Sequence, residues 1–89
     1  MKYRILIINA ADSVGVALEN IPAGACMALS PGGELMAAND IPFSHKVALK
    51  ALAQGKPLFK YGEIIGRAAI AIRAGEWVHT HNMETEERA

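Results

Sequence analysis

The residues best suited to chemistry lie near the end of the chain, in Gly75-Glu76-Trp77-Val78-His79-Thr80-His81-Asn82. On an extended backbone His79 and His81 point to the same side, and two imidazoles are thereby offered to one metal ion or one anion. A His-x-His pair alone does not close a metal site, because at least one further ligand is needed. His45, Asp12 or Asp40 could supply it, or a partner chain. The plainer alternative is two surface histidines on an edge strand. The third histidine, His45, is followed by Lys46. If Ser44 caps a helix, His45 and Lys46 fall in its first turn beside free backbone N–H groups. That arrangement suits a carboxylate, sulfonate or phosphate; an ordinary exposed first turn is the competing reading. A further polar island, Lys60-Tyr61-Gly62-Glu63, offers a cation and a phenol at a glycine turn, or simply a solvated β-turn. Cys26 has no adjacent His or Lys and reads as a small core residue. Asp12-Ser13 reads as a turn.

These islands must be held by an apolar scaffold. Of 89 residues, 52% are hydrophobic and 6% aromatic, so one small domain with an aliphatic core is expected. Nine basic and nine acidic side chains give no net charge. No basic field exists to draw nucleic acid or an anionic membrane. The single cysteine fits a reducing compartment, which points to the cytoplasm. No stretch is long enough to cross a bilayer, and the apolar run after Met1 is too short for a signal peptide.

Residues 3–8 read as a strand buried on both faces. Val14, Val16 and Leu18 alternate with Gly15, Ala17 and Glu19 as in a half-buried strand. Short strands follow near 25–29 and 34–37, separated by the turn signal Ser30-Pro31-Gly32-Gly33. One α-helix is expected from Ser44 to Gly55, rich in Ala and Leu and stopped by Pro57. Short apolar pieces then alternate with glycines as far as Trp77-Val78. Ile21-Pro22-Ala23-Gly24-Ala25-Cys26-Met27 and Ile72-Arg73-Ala74-Gly75-Glu76-Trp77-Val78 share the pattern Ile-x-Ala-Gly-x-x-apolar, which suggests related turns. The expectation is a mainly β fold with one α-helix over residues 1–82, followed by an acidic tail or linker at 83–89.

Taken in order, Asp12 to Leu18, Ile21 to Gly24, Ile41-Pro42 with His45 to Leu49, Gly55, Lys60 to Gly66 and Gly75 to Asn82 resemble the N-terminal domain of the altronate/galactarate dehydratase family. The family includes two-subunit sulfolactate sulfo-lyases with a small subunit of this kind. The resemblance implies an SAF-type β-clip fold, similar to type III antifreeze protein. It implies a lyase that removes water or sulfite from hydroxylated sugar acids or sulfolactate. It also implies a divalent metal, typically iron(II) and alternatively manganese, and a large catalytic subunit or domain. The family usually carries glycine before the His-Lys pair, where this chain has Ser44; a serine there would narrow any close approach of substrate to the backbone.

Elimination beside a carboxylate needs a base for the α-proton, a stabiliser for the enolate and help for the leaving group. The expected catalytic residues are His45, Lys46, His79 and His81, with His79 and His81 also the expected metal ligands. Ser44, Lys60, Tyr61 and Asn82 are the expected substrate contacts. The site would be completed by the large partner, and this chain would be inactive alone. The competing expectation is a non-catalytic β-clip module that docks or gates a larger protein, since fold alone does not decide activity.

Overall fold

Four segments of this chain obey one rule: alanine, then Ile or Leu four residues on, Gly or Ser three further, and an apolar residue three further again. They are Ala17–Ile21–Gly24–Met27, Ala37–Ile41–Ser44–Val47, Ala48–Leu52–Gly55–Leu58 and Ala68–Ile72–Gly75–Val78. In the computed structural model, which describes residues 2–30 and 32–85, every alanine and every aliphatic residue of this set is buried. Each segment makes the same turn. The N–H of Ala25, His45, Lys56 and Glu76 donates to the carbonyl three residues earlier, at 3.1 Å in all four cases. The residue before each donor has positive φ: 84° at Gly24, 70° at Ser44, 86° at Gly55 and 89° at Gly75. A type II turn demands that conformation at its third position, which is why glycine recurs there.

The arms work in pairs. Ile21 and Ile41 exchange two backbone hydrogen bonds at 2.9 and 2.7 Å, and Leu52 and Ile72 exchange two at 2.8 Å. Within each pair the turn residue of one arm donates to the alanine carbonyl of the other: Gly24 to Ala37, Ser44 to Ala17, Gly55 to Ala68 and Gly75 to Ala48. The first pair closes a core of Ile5, Ala17, Ile21, Met27, Ala37, Ile41 and Val47. The second closes a core of Val14, Ala48, Leu52, Leu58, Ala68, Ile72, Val78 and Met83. Each large aliphatic side chain so buried contributes about 1.5–3 kcal/mol.

Among the described residues nine strands connect the arms: β1 Tyr3–Leu6, β2 Val14–Ala17, β3 Cys26–Ser30, β4 Glu34–Met36, β5 Lys46–Ala48, β6 Pro57–Lys60, β7 Glu63–Ala68, β8 Trp77–Val78 and β9 Met83–Thr85. One sheet runs β4-β3-β1-β2-β5-β8 and the other β6-β7-β9. Only the β1–β3 pairing is parallel. β5 passes between the two cores, giving Val47 to the first and Ala48 to the second.

The mainly β expectation holds, but the expected α-helix from Ser44 to Gly55 does not form. Its first residues are β5, held between β2 and β8. Leu52, expected inside the helix, is bridged to Ile72. The helix preference of Ala48-Leu49-Lys50-Ala51-Leu52-Ala53 is worth tenths of a kcal/mol per residue and is outweighed by pairing and burial. At Ser44 the positive φ also excludes the extended backbone of a helix N-cap. β1 is buried on one face only, through Ile5. Residues 83–85, expected as tail, pair with β7 as β9, and Met83 enters the second core; residues 86–89 lie outside the described residues.

The turn glycines make unequal demands. A Cβ on Gly55 meets nothing within 4 Å, whereas one on Gly75 would sit 2.2 Å from the Met36 carbonyl oxygen. Gly55→Ala should therefore cost only the left-handed strain, about 1–2 kcal/mol. Gly75→Ala should cost clearly more in urea unfolding, because backbone must move. Ser44→Gly should raise stability by roughly 0.5 kcal/mol, the relieved strain being partly offset by unfolded-chain entropy.

Candidate functional site

The second and fourth arms meet where β5 pairs with β8. Lys46 lies opposite Val78 and Val47 opposite Trp77. One step further along the same register sets His45 opposite His79, and their rings are 5.1 Å apart. Alternation puts His45, Val47, Trp77 and His79 on one side of the pair, and Lys46, Ala48 and Val78 on the other. The indole of Trp77 lies nearly parallel to the His79 ring, at 5.4 Å and 8°. It also packs against His81 at 5.2 Å and His45 at 5.6 Å. Its Nε1–H donates to His45 Nδ1 at 3.1 Å. All three histidines of the chain thus surround one tryptophan.

His79 and His81 reach this cluster from a turn, not from the extended segment expected. Asn82 builds that turn. Its Oδ1 accepts from the His79 N–H at 2.9 Å, and its Nδ2 donates to the Trp77 carbonyl at 2.8 Å. The N–H groups of Asn82 and Met83 both donate to the His79 carbonyl. Asn82 is 3% exposed with its amide engaged at both ends, so it positions the histidines rather than facing a ligand.

The lysines gather on the other side of β5. Lys46 is two residues before Ala48, which is in the second core, and Lys60 is two residues after Leu58, in the same core. Both therefore leave from the rim of that core. Burial, and next the charge of Lys60, hold the Lys46 ammonium below its ordinary pKa. Neither lysine forms an ion pair with a described residue. Lys60 lies 4.9 Å from the centre of the Tyr61 ring. Tyr61 itself is exposed, with φ 56°, on a turn tied down by Asp12, whose carboxylate accepts from Gly62 N at 2.8 Å and Asn9 N at 3.2 Å. Ser44 is exposed in its turn beside His45. His45 and Lys46 thus open a strand; no helix terminus stands there to bind an anion.

Among the described residues no group of three or more His, Cys, Asp and Glu side chains is arranged to hold a metal ion. The carboxylates considered as further ligands are otherwise engaged: Asp12 on the 61–62 turn, and Asp40 Oδ1 on the Ala23 N–H at 2.8 Å. The described residues by themselves therefore do not make a complete site for iron(II) or manganese. Two surface depressions, of about 400 and 530 Å³, are lined by residues 20–22 with 40–42 and by Ser13, Lys50, Ala51, Leu52, Ala53, Lys56, Pro57 and Phe59. Neither of these two includes a histidine; His81 is exposed, while His45, Trp77 and His79 are half-buried. Sequence reasoning missed Trp77 as the centre of the cluster. Its i, i+2 spacing from His79 was the available signal. It also missed Asn39, whose Oδ1 accepts from the Trp77 N–H at 3.0 Å.

Two pH-dependent outcomes follow. Burial opposes ionisation of Asp12, but the N–H groups of Gly62, Tyr61, Asn9 and Ile8 outweigh it and lower its pKa. Its stabilising contribution is complete above the ordinary carboxylate value, about 3.9, and is lost as pH falls through the lowered folded value. Asp12→Ala should cost roughly 1–3 kcal/mol at pH 7 and much less at pH 2, measured by urea unfolding. Lys46 has the opposite sign: its charge disfavours the folded state at neutral pH, and the penalty fades as pH rises towards the ordinary lysine value. Lys46→Met should therefore raise the melting temperature at pH 7, and raise it less near pH 11.

Known proteins resemble this chain in sequence. The sequence model described as the altronate/galactarate dehydratase SAF domain matches residues 3–86. The chain is 34% identical over 92 aligned positions to (2R)-sulfolactate sulfo-lyase subunit alpha of Chromohalobacter salexigens, covering 97% of this chain and 98% of that subunit. It is 50% identical over 52 residues to the same subunit of Paracoccus pantotrophus, covering 58% of this chain and 78% of that one. With altronate dehydratase of Escherichia coli K12 it shares 37% over 78 residues, 88% of this chain but 16% of that enzyme. The same unit thus occurs as a separate subunit and as a small part of a longer chain. This chain belongs to the altronate/galactarate dehydratase SAF-domain family.

Proposed function

We propose that this chain is the small subunit, or the N-terminal domain, of a hydro-lyase that dehydrates hydroxylated sugar acids of the altronate/galactarate type, with sulfolactate as the other candidate substrate. It works in the cytoplasm and is inactive alone. The observation that carries this reading is the convergence of His45, His79 and His81 around Trp77, with Lys46 and Lys60, which pair with no described carboxylate, on the other side of β5. A cluster of this kind is half of a site, and a large catalytic subunit or domain supplies the other half.

In the reaction a proton leaves the carbon beside the carboxylate, and water or sulfite departs from the next carbon with its bonding electrons. Lys46 and Lys60 draw in and hold the anionic end of the substrate; their charge also stabilises the enolate as it develops. Ser44 and Tyr61, exposed beside His45 and Lys60, contact the rest of the substrate. The imidazoles hold or pass a proton at the reacting carbon or the leaving oxygen. A divalent metal belongs in this reading to the large partner, since the residues here do not fit one, and no step above runs through it.

A docking module without chemistry is the second reading. Exposed Ile8, Met36, Phe43 and Ile70 favour it, as apolar groups available for cover by a partner. Reconstitution with the large polypeptide that co-purifies with the chain separates the two. Assays of sugar-acid dehydration and sulfolactate cleavage should show a loss of about 10²–10⁴-fold for His79→Ala combined with His81→Ala. Full activity of that double variant would sink the catalytic role and leave docking.

A further inference from the structure

The indole N–H of Trp77 is a donor only, so the His45 Nδ1 it reaches at 3.1 Å must present a lone pair. A neutral imidazole carries one proton, and here it sits on Nε2. His45 Nε2 bonds to no described residue, and no buried side-chain polar atom lacks a partner, so this N–H faces solvent. Trp77 cannot easily turn away. Asn39 holds its backbone N–H, Asn82 holds its carbonyl, and its ring lies along His79.

A metal ion is incompatible with this arrangement at either nitrogen. Ligation through Nδ1 takes the lone pair that the indole uses. Ligation through Nε2 requires the proton to sit on Nδ1, where it would confront the indole N–H donor to donor. An oxygen acceptor at Nε2 disturbs nothing. We infer that Trp77 is a positioning residue that fixes His45 with Nε2–H outward, so that His45 receives a carboxylate, sulfonate or hydroxyl oxygen of a ligand and not a metal ion.

The inference shares with the proposed function only the source of that oxygen; the tautomer is a property of this chain alone. The test is long-range ¹H–¹⁵N correlation of the ¹⁵N-labelled full chain near pH 8, above the ordinary histidine pKa of about 6.5. His45 should show a protonated Nε2 and a bare Nδ1. A stoichiometric addition of Zn(II) should leave both signals in place. Trp77→Phe keeps an aromatic ring beside His79 but removes the donor, and should convert His45 to a mixture of tautomers without changing backbone signals remote from the cluster. In the reconstituted assembly the same variant should raise KM several-fold. A wild-type His45 protonated at Nδ1, a tautomer indifferent to Trp77→Phe, or Zn(II) binding at His45 would each overturn the inference. The wild-type spectrum decides even if the variant does not fold. An inactive assembly would count against the lyase reading without touching the tautomer result.

Discussion

Everything in this small domain depends on the reciprocal clasp between paired arms. Ile21 with Ile41, and Leu52 with Ile72, each satisfy one another's backbone groups in the middle of a core. Buried N–H and C=O groups must find partners, and here no long strand or helix supplies them. Two short exchanges and four crossing bonds to alanine carbonyls do so instead. The alanines are small because opposing backbone passes close to them. The left-handed residues exist because each arm must reverse within a single turn. The clasp therefore dictates which residue types recur, and it leaves the positions between them free to vary.

Those free positions carry the histidines, Trp77 and Lys46. His45 follows the left-handed Ser44, and Trp77 lies two residues after the left-handed Gly75. Their arms belong to different cores, joined along β5 and β8. Val47 and Trp77 face one core while Ala48 and Val78 enter the other. The seam joins two packed cores beneath these side chains. Imidazoles emerge on one side of it and ammonium groups on the other. In the proposed shared site, such positioning is what the smaller contributor would supply, because the partner must find these groups already in place. Lys46 shows what this costs, since its charge is held half-buried next to that of Lys60.

Much of this was legible in the sequence. The spacing of Val14 and Val16 marked β2, although Gly15 and Ala17 are buried there too rather than alternating outward; turn signals bracketed β3 and β4, and the ordered motifs identified the family. Two of the four arms were visible, because Ile21–Met27 and Ile72–Val78 share Ile, Ala and Gly. The other two were hidden: Ser44 replaces the turn glycine in one, and Leu52 replaces isoleucine in the other. The same two arms produced the false helix, since Ala and Leu satisfy the spacing of a clasp and the propensity of a helix equally well. The grouping was partly readable, as His45, His79 and His81 do meet around Trp77, whereas Lys46 lies on the other side of β5. What could not be read was that Asn82 faces inward, or that Trp77 packs among the histidines. Both depend on a turn at 79–82 that follows a two-residue strand, too short for periodicity to register.

In the function proposed here, the face around Trp77 is half of a site and is covered by a larger catalytic partner. Trp77 is the single tryptophan of the chain, so 5-fluorotryptophan labelling gives one ¹⁹F resonance at the centre of the cluster. The account predicts that this resonance shifts when the unlabelled large subunit binds, and shifts again when a sugar-acid substrate or sulfolactate is added. A complex that forms, and turns over substrate, while the Trp77 signal stays where it is in the free chain would contradict it.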